Sequence, residues 1–179
     1  TLNYDYMQFV PLTKWFTLLF SADVGYGLDI GDTTSIPPYR RFYAGGPESV
    51  RGFQESRLGP KDSFGNPYGV HLRTVMQTEL LLPMPQKFRN SARFSIFLDA
   101  GNTFSTDSTT YVGRDGITPV DYEFSFDKIR YSTGVAVQWL APLGVFRFSY
   151  AVPLNAADAN GVEYGDETEG FQFSIGQAF

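Results

Sequence analysis

Few of the 179 residues have side chains suited to covalent chemistry. There is one histidine, His71, and no cysteine. A histidine can serve a serine nucleophile as general base, but no G-x-S-x-G or comparable setting accompanies this one. His71 is better read as structural or incidental, and neither a multi-histidine zinc site nor a thiolate site can be built. The acidic stretch Asp158, Glu163, Asp166, Glu167, Glu169 suggests calcium, yet its D-x-N-G spacing lacks the remaining ligands of a calcium loop. It reads as a solvated loop, and Gly113-Arg114-Asp115-Gly116 reads as a turn. The expectation is a protein that is not an enzyme and needs no metal and no cofactor.

What remains is recognition by charge. The stretch Phe42-Tyr43-Ala44-Gly45-Gly46-Pro47-Glu48-Ser49-Val50-Arg51-Gly52-Phe53 is the most specific local signal. Its glycines open backbone conformations closed to other residues, so the segment can fold tightly back on itself. Arg51, beside Val50, Gly52 and Phe53, offers a planar fork that matches carboxylates. An arginine in a glycine-rich loop is ordinarily solvated. Two carboxylates argue otherwise. Glu79 and Asp99 fall on adjacent predicted strands, on the faces opposite Leu80 and Leu98. Buried carboxylates require partners, and a loop folded against that face would bring Arg51 to them.

The elements that must position these groups are strands. Apolar residues recur with a period of two almost throughout. Phe171, Phe173, Ile175 and Phe179 alternate with Gln172, Ser174, Gly176 and Ala178; Phe146, Phe148, Tyr150 and Val152 alternate with Val145, Arg147, Ser149 and Ala151. Tyr131, Val135, Val137 and Trp139 do the same against small and polar neighbours. Four earlier strands are expected near 2–12, 15–29, 70–82 and 92–104, the second with Phe16, Leu18, Phe20, Ala22, Val24, Tyr26 and Leu28 on one face. The connections alternate between short (11–14, 83–90, 141–144) and long (30–69, 105–129, 155–170). Membrane barrels join strands by short turns on one side and long loops on the other, whereas a soluble sandwich has no reason to alternate in this way.

Composition agrees. Aromatic residues make up 17% of the chain, with 17 Phe and 11 Tyr, and a barrel's lipid face and interfacial girdles would use them. No apolar run approaches the ~18–20 residues of a membrane helix. A net charge of −5 with no basic stripe argues against a nucleic-acid partner, and the absence of cysteine suits passage through an oxidising periplasm. The predicted fold class is all-β, an antiparallel transmembrane β-barrel. Seven strands do not close such a barrel, so the rest of the wall is expected upstream of Thr1 or from other copies. The start at Thr1, with neither initiator Met nor signal pattern, is read as the start of a piece of a longer protein.

The GG-x-x-SVRGF pattern resembles the sixth-loop signature of the BamA superfamily, which also holds TamA and FhaC-type secretion transporters. YMQFVPL (residues 6–12), VQWLAPLGVFRFSY (137–150) and FQFSIGQAF (171–179) narrow the resemblance to the BamA branch, and it covers essentially the whole chain. It implies that residues 1–179 are the C-terminal seven strands of a sixteen-stranded barrel, with the sixth extracellular loop at about 30–69 and POTRA domains upstream. It implies that Arg51, in the motif Val50, Arg51, Gly52, Phe53, pairs with wall carboxylates matching Glu79 and Asp99. It further implies a lateral gate, in which the last strand (Phe171, Phe173, Gly176, Phe179) pairs weakly with the first and is kinked at Gly176. The function implied is insertion of β-barrel proteins into the bacterial outer membrane. The implied partners are outer-membrane lipids, unfolded barrel substrates and periplasmic lipoproteins. A two-partner-secretion-type or TamA-type transporter is the alternative, and a passive porin is disfavoured because loop 30–69 would fill the lumen. Phe179 stands where some relatives carry Trp, and reads equally as the last lipid-facing residue or as part of an assembly signal.

Overall fold

Strands whose large side chains all project to one side can share that side only if their registers agree. The chain achieves this with one antiparallel sheet. In the structure, a computed structural model that describes residues 1–27, 37–106, 111–142 and 144–176, the strands are β1 (Leu2–Pro11), β2 (Thr17–Tyr26), β3 (Leu72–Leu82), β4 (Ala92–Phe104), β5 (Tyr111–Val112), β6 (Pro119–Val120), β7 (Arg130–Ala141), β8 (Gly144–Pro153) and β9 (Phe171–Gly176). Seven of them form a sheet in the order β1-β2-β3-β4-β7-β8-β9, while β5 and β6 pair separately within the connection between β4 and β7. The sheet is not closed on itself: β1 and β9 are its two edges. Among the described residues no helix is long and apolar enough to cross a membrane.

The expected strand at 15–29 is shorter at its start. The Thr13 hydroxyl accepts the amides of Trp15 and Phe16 at 3.2 and 3.1 Å, and the Phe16 carbonyl accepts those of Leu12 and Thr13. This side-chain-capped turn competes with the ladder and delays β2 to Thr17. Leu28 and Phe179 lie outside the described residues.

Pairing aligns residues in rows across the sheet. Leu19, Glu79, Phe97, Gly134 and Ala151 form one row. Gln77, Asp99 and Ser132 form the next. On this side Ser95, Asp99, Ser132, Ser149 and Gln172 are buried, Asp99 and Ser132 completely. On the opposite side Met76, Ile96, Leu98, Val135, Tyr150, Phe171 and Ile175 are exposed, Phe171 at 61%. A water-soluble domain shows the reverse arrangement. An exposed apolar face this extensive belongs against another apolar phase, and a tilted strand of about ten residues matches the bilayer's hydrocarbon thickness.

The polar face is covered by the segment 37–70. Ala44, Val50, Phe53 and Leu58 pack with Val75 of β3 in a buried cluster, and Phe97, Ala136 and Ala151 form a second one. Buried loop backbone needs partners, and it finds them. Leu58 N donates to Ala44 O at 3.0 Å, Gln54 N to Glu167 O at 2.8 Å, and Glu169 N to Gly52 O at 3.0 Å. The segment from 154 to 170 therefore ties the covering loop down from above. The Gly113–Gly116 turn is present, with Gly116 N donating to Gly113 O and Gly116 at φ 72°.

Candidate functional site

The covering loop reaches the wall through Arg51. Gly52 follows it at φ 87°, in the left-handed region, with the Ala151 Cβ only 3.0 Å from where a Gly52 Cβ would stand. Glycine alone permits both the backbone turn and the close approach. This turn points the Arg51 fork at β3 and β4. Its Nε and Nη2 donate to the two Asp99 oxygens at 2.7 Å each, and its Nη1 donates to Glu79 Oε1 at 2.5 Å. The Arg51 backbone amide adds a bond to Asp99 Oδ2 at 3.1 Å. Ser95 Oγ donates to the second Glu79 oxygen at 3.0 Å. Beneath the guanidinium lies the Phe97 ring, its centroid 3.6 Å from Arg51 Cζ.

The energetics follow from burial. The Arg51 and Asp99 side chains are 6% and 0% exposed. Such a cluster is tolerated only when every lone pair and proton has a partner, and here the carboxylates are met by guanidinium, backbone amide and hydroxyl. Burial pulls the Arg51 pKa down, but the hydrogen bonds and charge of Asp99 and then Glu79 outweigh it and hold the guanidinium above its ordinary range. The group has no proton to exchange at any ordinary pH. It stands as a permanent charge that locks the loop to the wall.

The loop also grips the last strand. Gly52 N donates to Gln172 Oε1 at 3.1 Å, and Gln172 Nε2 returns a bond to Phe53 O at 2.7 Å. On the outer face of the same strand, Phe173 stacks with Phe146 and Phe148, with centroids at 6.1 and 5.0 Å, and Trp139 lies against Phe146 at 5.8 Å. Phe171 is exposed beside this row. Gly176 ends β9 on the inner face, opposite Val145.

The structure brings Arg51, Glu79 and Asp99 into contact and places Gly52 and Phe53 against the strand that carries Phe171, Phe173 and Gly176. The acidic stretch differs from the expected solvated loop. Asp166 is paired with Arg130, and Glu167 bridges Arg57 and Lys61 at 2.8 and 3.0 Å; only Asp158, Glu163 and Glu169 are exposed. Long-range partners override local polarity here. His71 is buried immediately before β3. Phe97, Ser95 and Gln172 were not singled out from sequence. The usable signal for Phe97 was a large ring on an otherwise small and polar face.

The Omp85 superfamily domain matches residues 1–179. The chain belongs to the Omp85 superfamily. It is 38% identical over 186 aligned residues to the outer membrane protein assembly factor BamA of Neisseria meningitidis serogroup B, across 96% of this chain and 23% of that protein. It is 25% identical to the Sorting assembly machinery 50 kDa subunit of Saccharomyces cerevisiae, across 90% of this chain and 32% of that one. Its fold resembles the crystal structure of BamA from Haemophilus ducreyi lacking POTRA domains 1-3, with a TM-score of 0.76 and 27% identity over 96% of this chain and 33% of the other. The chain therefore spans between 23% and 33% of the length of these relatives. As an Omp85 chain with an apolar outer face, it is a stretch of outer-membrane β-barrel wall.

Proposed function

We propose that this Omp85 chain is the C-terminal part of a BamA-type insertase barrel, which folds and inserts other β-barrel proteins into the bacterial outer membrane. The observation that carries the reading is the last strand. β9 is held from inside, through Gln172, by a loop that is itself locked to the wall through Arg51, and in the complete barrel a weak seam on its other side would open as the gate. A free strand edge in an apolar phase has unpaired amides and carbonyls, and an incoming strand that pairs with them removes that cost. Templating of this kind requires no nucleophile, metal or cofactor. The aromatic row Trp139, Phe146, Phe148, Phe173 lies on the lipid side beside the edge and would disorder the bilayer where the new strand enters.

In this proposal Gly176 provides the bend of a lateral gate, earlier strands complete the barrel, and POTRA domains and periplasmic lipoproteins deliver unfolded barrel substrates. Depletion of the intact protein in its host tests it. The expected result is a general fall in unrelated outer-membrane barrels with their accumulation in the periplasm. Loss of one secreted protein with porin levels unchanged would assign the chain to the transporter branch of the superfamily instead.

A further inference from the structure

We infer that Glu48 is a positioning residue that ties down the terminal half of β9 and forms a releasable counterpart to the Arg51 lock. Its carboxylate sits in the covering loop three residues before Arg51 and reaches the last two strands. One oxygen takes Arg147 Nη1 of β8, and the other accepts Ser174 Oγ of β9 at 2.7 Å. Arg147 and Ser174 are themselves a directly opposed cross-strand pair. Glu48 therefore closes a triangle over the β8–β9 seam, and nothing in the backbone ladder supplies that contact.

The order of attachments along β9 makes this position special. The inward-facing residues of the strand are Gln172, Ser174 and Gly176. Gln172 is held by the Gly52 amide and the Phe53 carbonyl. Ser174 is held by Glu48. Gly176 has no side chain to hold, and a Cβ there would have no neighbour closer than 3.9 Å. Among the described residues Glu48 is thus the last side-chain tie along β9.

The two ties differ in solvation. The Arg51 and Asp99 side chains are 6% and 0% exposed, whereas Arg147 and Glu48 are 40% and 58% exposed. A solvated ion pair is weak and exchanges readily with water; a buried one leaves costly unpaired charge if opened. Release of Glu48 would free residues 174–176 while Gln172 keeps the first half of the strand in place. Calling that freed end a gate rests on the insertase reading, but the tie itself does not.

The test uses the intact protein reconstituted in phospholipid vesicles, with spin-label pairs on the lipid face. One pair joins Ile175 to Val135, and a control pair joins Phe171 to Val135. With Glu48→Gln, the Ile175 distance distribution is expected to become roughly twofold broader, as local opening of a strand end would produce, while the Phe171 pair stays as in the wild type. The swap Glu48→Arg with Arg147→Glu should narrow it again. An unchanged Ile175 distribution, or equal broadening of both pairs, would overturn the inference. If Glu48→Gln does not fold, Ser174→Ala removes the hydrogen bond from β9 to Glu48 and faces the same two outcomes. These distances are read whether or not the protein assembles other barrels, so a negative depletion experiment and a negative label experiment are distinguishable.

Discussion

At the scale of single residues, the Arg51 cluster explains why a long loop can lie against a membrane-embedded wall. The three charged groups satisfy one another so fully that the loop is as much a part of the interior as a core side chain would be. Removing one partner should therefore cost far more than a surface ion pair. Arg51→Ala leaves Asp99 and Glu79 buried and unpaired, and is expected to lose about 3–5 kcal/mol, read as a lower urea midpoint of the reconstituted barrel. Arg51→Lys should recover only part of this, because a point charge cannot fill both oxygens of Asp99 and one of Glu79 together. Arg51→Glu should fail more severely, with partial rescue by Glu79→Arg. A silent Arg51→Glu would refute the lock. This much was legible in sequence, because strand parity places both carboxylates on the inner face. Phe97 was not. Its role depends on lying beneath the guanidinium and opposite Gly134, and register across two strands cannot be read from alternation alone. Gln172 and Glu48 were hidden for a related reason: their partners are more than 90 residues away in the chain.

At the scale of elements, strand and loop each carry a constraint from the other. Gly134 lets β7 accept the Phe97 ring, since a Cβ there would stand 2.0 Å from the Tyr150 carbonyl and 2.9 Å from the ring. Gly134→Ala should shift β8 away from β7 and weaken the barrel, most visibly as faster amide exchange along the β7–β8 ladder. The loops were the least legible part of the chain. The sequence reading treats 105–129 as one irregular connection, yet it contains the β5–β6 pair, and its Tyr111 and Tyr122 form a buried cluster with Val70. The acidic stretch likewise owes its order to Arg57, Lys61 and Arg130, cations from other segments. Burial raises the Glu167 pKa, but the hydrogen bonds and charges of Arg57 and Lys61 more than offset this and bring it below the usual range. A carboxylate with a lowered folded pKa contributes stability above its unfolded pKa and loses it as pH falls through the folded value. The melting difference between wild type and Glu167→Gln should therefore be largest near neutrality and should close on acidification below the ordinary glutamate value of about 4.3. A difference independent of pH would mean that the bridge contributes through packing rather than charge.

At the scale of the whole molecule, the decisive property is that burial runs backwards. Ser95, Ser132, Ser149, Asp99 and Gln172 are inside, and Met76, Ile96, Leu98, Val135, Tyr150, Phe171 and Ile175 are outside. The alternating pattern showed that two unlike faces exist; the alternation of short and long connections argued for a barrel over a sandwich, and so for the large apolar side chains facing lipid. A single substitution puts that assignment to a physical test. Val135 is the sixth of twelve residues in β7, points to the apolar side and is 40% exposed. On a water-facing sheet Val135→Arg would change stability by no more than about 0.5 kcal/mol, as surface substitutions usually do. Near the bilayer midplane the same change should cost about 2–4 kcal/mol, falling toward zero for residues close to either interface. Urea unfolding of the reconstituted protein measures it, and a matching change at Ala92, at the opposite end of the β4–β7 ladder from Gly101, supplies the interfacial comparison. A large penalty at Val135 with a small one at Ala92 is the depth profile of a membrane wall. Equal and small penalties would mean that the apolar face is covered by protein rather than by lipid, and the insertase reading, which needs a strand edge open to the bilayer, would fail with it.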